Sequence, residues 1–164
     1  MNRLEYLRAT IDNIVRAQPD LEESRCGFVH LYGVATVCAM LALKRGIDPE
    51  ICTAAGMLHD IWAYKTGKPA DHAHLGATEA EHLLRESGDF TEKEISVICD
   101  AIACHSNKGK IDTDICELLK DADVLQHHLY NTSLEVNNSH LERLNAIFAE
   151  LGIKNGLQPP ENLP

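Results

Sequence analysis

Apolar residues recur at a helical period along nearly the whole chain. Leu4, Leu7, Ile11, Ile14 and Val15 form one stripe, which predicts an amphipathic helix over residues 3–17. Gln18-Pro19-Asp20 breaks it. A second helix is expected from about Glu23 to Arg45, stopped by Gly46. Asp48-Pro49-Glu50 then supplies an N-cap, a proline at the first helical position and an acid in the first turn. The third helix that starts there carries His59-Asp60 near its C-terminal end. Residues 64–71 read as a loop, and a fourth helix runs from about Ala73 to Glu86, closed by Ser87-Gly88. Thr91 and Glu94 are spaced as a capping box, with Phe90 and Ile95 as a hydrophobic staple, so a fifth helix reaches about Cys104. Asp112 can cap a sixth helix ending at Tyr130, and Ser139 with Glu142 a seventh faced by Leu141, Leu144, Ile147, Phe148 and Leu151.

No stretch of more than four residues alternates apolar with polar convincingly, and there is no hairpin signal or internal repeat. The fold class is all-α, one helical bundle of about six to seven helices over residues 1–153, followed by an extended, proline-rich tail over 154–164.

One run needs separate treatment. The eighteen residues from Cys26 to Leu43 contain no Asp, Glu, Lys or Arg, about 27 Å of helix, near the length of a membrane span. The run also contains His30, Tyr32, Thr36 and two glycines, and no other segment resembles it. It reads as a central helix buried on most sides.

Composition narrows the partners. The 164 residues suit one domain, and 45% hydrophobic with 24% charged residues is a globular balance. The net charge of −10 argues against nucleic acid or a membrane as main partner, but not against a small phosphorylated substrate held through metal ions. Six cysteines without a C-x-x-C pair, most among Ala, Val, Ile and Leu, read as buried reduced thiols. With no signal-peptide pattern at Met-Asn-Arg-Leu-Glu, the expected location is cytoplasmic. Oligomeric state is unread.

The candidate chemistry lies in the placement of the nine histidines. His30 lies inside the apolar second helix, His59-Asp60 ends the third, and His72 and His74 stand at the start of the fourth. His105 ends the fifth, while Asp121 and Asp123 interrupt apolar pairs in the sixth. Singly, each has a bland reading: His30 as a hydrogen-bonded core residue, His72 as a loop residue, His105 as a helix cap, Asp123 paired with Lys120. His82, His127, His128 and His140 read as surface or supporting residues. Together, imidazoles and carboxylates offered by five successive helices form the kind of set from which bundles build metal sites. Four histidines with two carboxylates suit divalent transition metals rather than calcium or magnesium.

The ordered set His30…His59-Asp60…His72…His105…Asp123 resembles the HD-domain metal-dependent phosphohydrolase superfamily over about residues 25–130. The likeness rests on His30-Leu-Tyr-Gly-Val-Ala, Ala-Gly-Met-Leu-His59-Asp60-Ile, His72-Ala-His-Leu-Gly76-Ala77, Ala-Ile-Ala-Cys-His105-Ser and Lys-Asp-Ala-Asp123-Val-Leu. It implies that His30, His59, Asp60 and Asp123 hold one metal, and that Asp60 bridges to a second held by His72 and His105. It prefers His72 to His74 and Asp123 to Asp121. The implied cofactor is one or two divalent ions (Fe, Mn, Co, Ni or Zn, with iron or manganese favoured). The implied activity is hydrolysis of a nucleotide or other small phosphate ester through a metal-bridging hydroxide, with Asp60 as the catalytic residue. Arg25 and Lys108 are candidate phosphate contacts, ahead of Lys65, Lys68 and Lys110. Two alternatives are an HD-type mixed-valent di-iron oxygenase and a non-catalytic nucleotide-binding or regulatory module.

Overall fold

A computed structural model describes residues 2–153 and, among them, eight helices and no strand. These are α1 (Arg3–Arg16), α2 (Leu21–Arg45), α3 (Pro49–Leu58), α4 (Ile61–Thr66), α5 (His72–Ser87), α6 (Glu92–Cys104), α7 (Asp114–Tyr130) and α8 (Asn138–Leu151). The expected tail over 154–164 lies outside the described residues.

Local signals account for most boundaries. Asp20 and Asp48 cap α2 and α3 by accepting backbone N–H bonds from the first turn, and Gly46 ends α2 in the left-handed region. The Thr91–Glu94 capping box is present at α6 with both of its reciprocal bonds. Asp112, expected to cap the next helix, does not: Thr113 takes the N-cap position, and Asp112 instead pairs with Lys110 and Lys120. α8 starts at Asn138, one residue before its expected cap, and the Ser139 side chain lies outside those described. The segment expected to be a loop from residue 64 remains helical through Thr66 as α4, which stops at left-handed Gly67.

The enclosed central helix is α3, not α2. Every residue from Ile51 to Leu58 is buried, whereas α2 buries Leu31, Val34, Ala35, Cys38, Leu41 and Ala42 and leaves Met40 and Leu43 exposed. α2 is long and apolar enough to cross a membrane, yet here its buried side packs on α3 and α7. Gly56 sets how closely α3 approaches α2. A Cβ there would lie 2.8 Å from the Ala35 Cα, backbone that cannot move aside cheaply. Gly76 does the same for α5, since its Cβ would come within 3.1 Å of the His59 carbonyl oxygen. Both close approaches converge on the end of α3. All six cysteines are free.

Candidate metal centre

Five elements deliver side chains to one point beside that helix end. α2 brings His30 from its middle, α3 ends on His59, and α5 begins with His72. α6 ends on His105 and α7 contributes Asp123. Asp60 lies between α3 and α4 with φ −110° and ψ 14°, outside helical geometry. The third helix thus ends at this pair, as expected, and the chain turns helical again at once as α4.

Each imidazole is oriented by its Nδ1. His59 Nδ1 donates to the Gly56 carbonyl at 2.9 Å, His72 Nδ1 to the Pro69 carbonyl at 2.9 Å and His105 Nδ1 to the Ile102 carbonyl at 2.6 Å. His30 Nδ1 donates to the Gln126 side-chain oxygen at 2.7 Å. A neutral imidazole that donates from Nδ1 presents a lone pair at Nε2. The bland role foreseen for His105, capping its helix, is thus the device that aims its other nitrogen.

The four Nε2 atoms divide between the two oxygens of Asp60. Oδ2 lies 3.3 Å from His30 Nε2 and 3.4 Å from His59 Nε2. Oδ1 lies 3.5 Å from His72 Nε2 and 3.3 Å from His105 Nε2. Asp123 Oδ1 joins the first group, 3.6 Å from His30 Nε2 and 3.9 Å from His59 Nε2. The His30 and His59 Nε2 atoms are themselves 3.1 Å apart. Three overlapping triplets, His30/His59/Asp60, His59/His105/Asp123 and Asp60/His72/His105, keep their ligand atoms within 4.8 Å of one another. Atoms bound at about 2.1 Å to one ion in tetrahedral or octahedral geometry lie about 3.0–3.4 Å apart, so the observed spacings suit ions between them.

The donor set makes the same demand. Among the described residues, Asp60 Oδ1 is buried without a hydrogen-bond partner, and lone pairs converge where protons are few. Positive charge must enter, as protons or as metal. Burial would raise the Asp60 carboxyl, but His59, His105 and His30 hold it well below the usual carboxylate range. Burial likewise opposes ionisation of Asp123, yet Lys108, His59 and His30 hold it down at about 2. Both acids are therefore carboxylates at neutral pH. Burial pushes both His59 and His105 down; Asp60 and Asp123 reverse this for His59, while His105 stays lowered. The residues fit divalent ions with mixed nitrogen and oxygen preference, and the same atoms do not single out one metal.

The structure separates the remaining candidates. His74 is exposed and bonds Asp71, so it stays outside the cluster. Asp121 faces Arg45 and Arg143 instead. Lys108 does reach the site: its ammonium bonds Asp123 and, at 2.7 Å, the His105 carbonyl. Arg25 does not. It is exposed, pairs with Glu22 of its own helix at 2.6 Å and meets the Tyr130 hydroxyl, at 3.4 Å, on the pocket's rim. Lys65 pairs with Glu79 and Lys110 with Asp112. The pairing imagined for Asp123 with Lys120 is absent, because Lys120 bonds Asp112 and Glu117.

Two residues were missed. Gln126 fixes the His30 ring, and the Ser106 hydroxyl lies 3.0 Å from His72 Nε2. Gln126 follows Asp123 by three positions, hence on the same helical face, which was the one available signal. Beside the cluster opens a pocket of about 350 Å³, walled by Val29, Tyr64, Gln126, His127 and Tyr130, with His30, Asp60 and Asp123 at its base.

Comparison with known proteins gives the family. The family model described as HD domain matches residues 27–127. The chain is 31% identical over 147 residues to Ribonuclease Y of Lawsonia intracellularis, covering 88% of the chain and 24% of that protein. Ribonuclease Y of Opitutus terrae is 28% identical over 116 residues, covering 70% of the chain and 20% of the relative. Ribonuclease Y of Syntrophotalea carbinolica is 31% identical over 117 residues, with 70% and 21% covered. The chain thus spans about a quarter or less of the length of these relatives. No solved structure matches it.

Proposed function

Because the chain belongs to the HD-domain family, we propose that it is a metal-dependent phosphohydrolase acting on a small phosphate ester, nucleotides included. The observation that carries this reading is the two-sided use of Asp60. Each carboxylate oxygen faces a different pair of Nε2 atoms, and the inner oxygen has no other partner. His30, His59, Asp60 and Asp123 would hold one ion and Asp60, His72 and His105 a second, with iron or manganese the favoured metals. Such ions supply Lewis-acid contacts to phosphoryl oxygens and lower the pKa of a coordinated water.

The chain's own residues do the rest. Gln126 and the three backbone carbonyls keep the four rings turned inward, the supporting role that outer partners play at metal sites. The Lys108 ammonium bonds Asp123, and we take it as the cation that would meet a phosphoryl oxygen. Val29, Tyr64 and Tyr130 give the organic part of the ester an apolar wall.

The relatives' name refers to RNA, but the chain matches only about a quarter or less of their length. A net charge of −10 disfavours a polyanion, so we take the substrate to be small, and the protein to work in the cytoplasm with its cysteines reduced. The test is direct. Protein loaded with Mn, Fe, Co, Ni or Zn should hydrolyse p-nitrophenyl phosphate and mononucleotides, and faster than an oligoribonucleotide. Activity that survives complete metal removal would overturn the proposal, and preference for the oligoribonucleotide would overturn the substrate size.

A further inference from the structure

The proposed reaction leaves one need unmet: a proton for the departing oxygen. The geometry points to His127 as the general acid that protonates the leaving group, an inference that rests on the phosphohydrolase reading. His127 stands one helical turn beyond Asp123 on α7, and its side chain lines the same pocket as Asp60 and Asp123. It also walls a second recess of about 230 Å³, so it stands at the boundary of two cavities. It is exposed, and among the described residues its ring makes no hydrogen bond that would fix it elsewhere.

Elimination supports the choice. His30 is the other imidazole of the pocket, and its two nitrogens serve Gln126 and the cluster. Lys108 is engaged by Asp123 and the His105 carbonyl. Burial, with Asp60 nearby, pushes the Tyr64 phenol well up, which makes it a poor acid. The Tyr130 hydroxyl sits at the rim with Arg25, and a Cys26 thiol is a weak donor. An imidazole is the side chain suited to give a proton near neutrality.

The step balances without a further reagent. A water oxygen forms the new bond to phosphorus while the bond from phosphorus to the leaving oxygen breaks. That oxygen keeps the electron pair and takes the proton from the His127 imidazolium. The imidazole recovers a proton from solvent, to which the attacking water has released its own.

A series of substituted phenyl phosphates, from p-nitrophenyl to p-methoxyphenyl, tests this at nearly constant shape. p-Nitrophenolate leaves without help, whereas p-methoxyphenolate benefits from a proton. H127Q should lower kcat/KM on the p-methoxyphenyl ester by about 100-fold or more, and on the p-nitrophenyl ester by less than about threefold. The dependence of rate on leaving-group basicity then steepens, with metal content and melting temperature as in the wild type. Equal losses across the series, no loss at all, or a fall in bound metal would overturn the assignment. If the wild-type protein, loaded with each metal in turn, cleaves none of the esters, it is the phosphohydrolase reading that fails.

Discussion

α7 carries polar side chains on two sides, and the two sides obey opposite rules. On one, Lys120, Lys110, Arg45 and Arg143 meet Asp112, Glu117, Asp121 and Glu150, four cations against four carboxylates. Lys120 is fully buried, yet its ammonium has three acceptors: Asp112, Glu117 and the Lys110 carbonyl. On the other side, Asp123 faces His30, His59 and His105, imidazoles already committed through Nδ1, and Lys108 is the cation that reaches it. The first network is closed by the chain itself. The second is an excess of lone pairs that protein atoms do not satisfy. Burial tolerates either arrangement, but an open one must be completed from outside, and that marks the functional side.

The largest effect should come from the atom that joins the open site. Asp60→Ala is expected to remove both ions and reduce hydrolysis by about 1,000-fold or more, several kcal/mol of lost barrier lowering. It should also lower the melting temperature of metal-loaded protein, since metal stabilises only the folded state. Elemental analysis checks this, and a variant that keeps its metal would refute the bridge. The closed side predicts the converse. Lys120→Met removes the buried ammonium that Asp112 and Glu117 share and leaves them Lys110 and Arg143 alone, so the loss should be about 2–3 kcal/mol in urea unfolding. Metal content should not change. If Lys120→Met lost metal as readily as stability, the two sides of α7 would not be independent.

A smaller effect sharpens where the open site ends. Gln126→Leu removes the acceptor for His30 Nδ1 and should weaken metal affinity by about 10- to 100-fold, measured by competition with a chelator. Loss of stability without loss of affinity would make Gln126 part of the packing instead.

What could be read from the sequence follows from range. Caps are local, so Asp20, Asp48 and the Thr91–Glu94 box are visible in a few neighbouring letters. The ligand-type residues were visible because imidazoles and carboxylates in apolar runs demand a partner. The helical restart as α4 was not, because Tyr64-Lys65-Thr66-Gly67 reads as a loop in its own letters; α4 is held by its packing on α5. Gln126 and Lys120 look like any polar residues of an amphipathic helix. Their partners, Val29 and His30 for one and the loop at Lys110–Asp112 for the other, are fixed only by how α7 docks. Asp112 misled for the same reason: a good cap residue was claimed by a distant lysine.

The smallest expected effect tests the closed kind of network at the surface, where solvent should weaken it. Arg3 bonds Glu94 at 2.8 Å and Glu50 at 2.7 Å, tying α1 to α6 and α3. The Thr91 backbone N–H, the Arg3 guanidinium and the Thr91 hydroxyl hold the Glu94 carboxyl down at about 2, against 4.5 ordinarily. A depressed carboxyl stabilises the fold fully above its unfolded value, and the contribution is lost as pH falls through the folded one. Glu94→Gln keeps an oxygen that can accept from Thr91 and removes only the charge. At about pH 6 the variant should therefore be less stable by under about 1 kcal/mol after screening, and the gap should shrink with added salt. Between about pH 4.5 and about pH 2 the gap should close, because the wild type loses what the variant never had. Taking the difference between the two proteins cancels the acid loss of metal that both undergo. A gap that stayed constant down to about pH 2 would mean that the charge of Glu94 is not what ties α1 to α6.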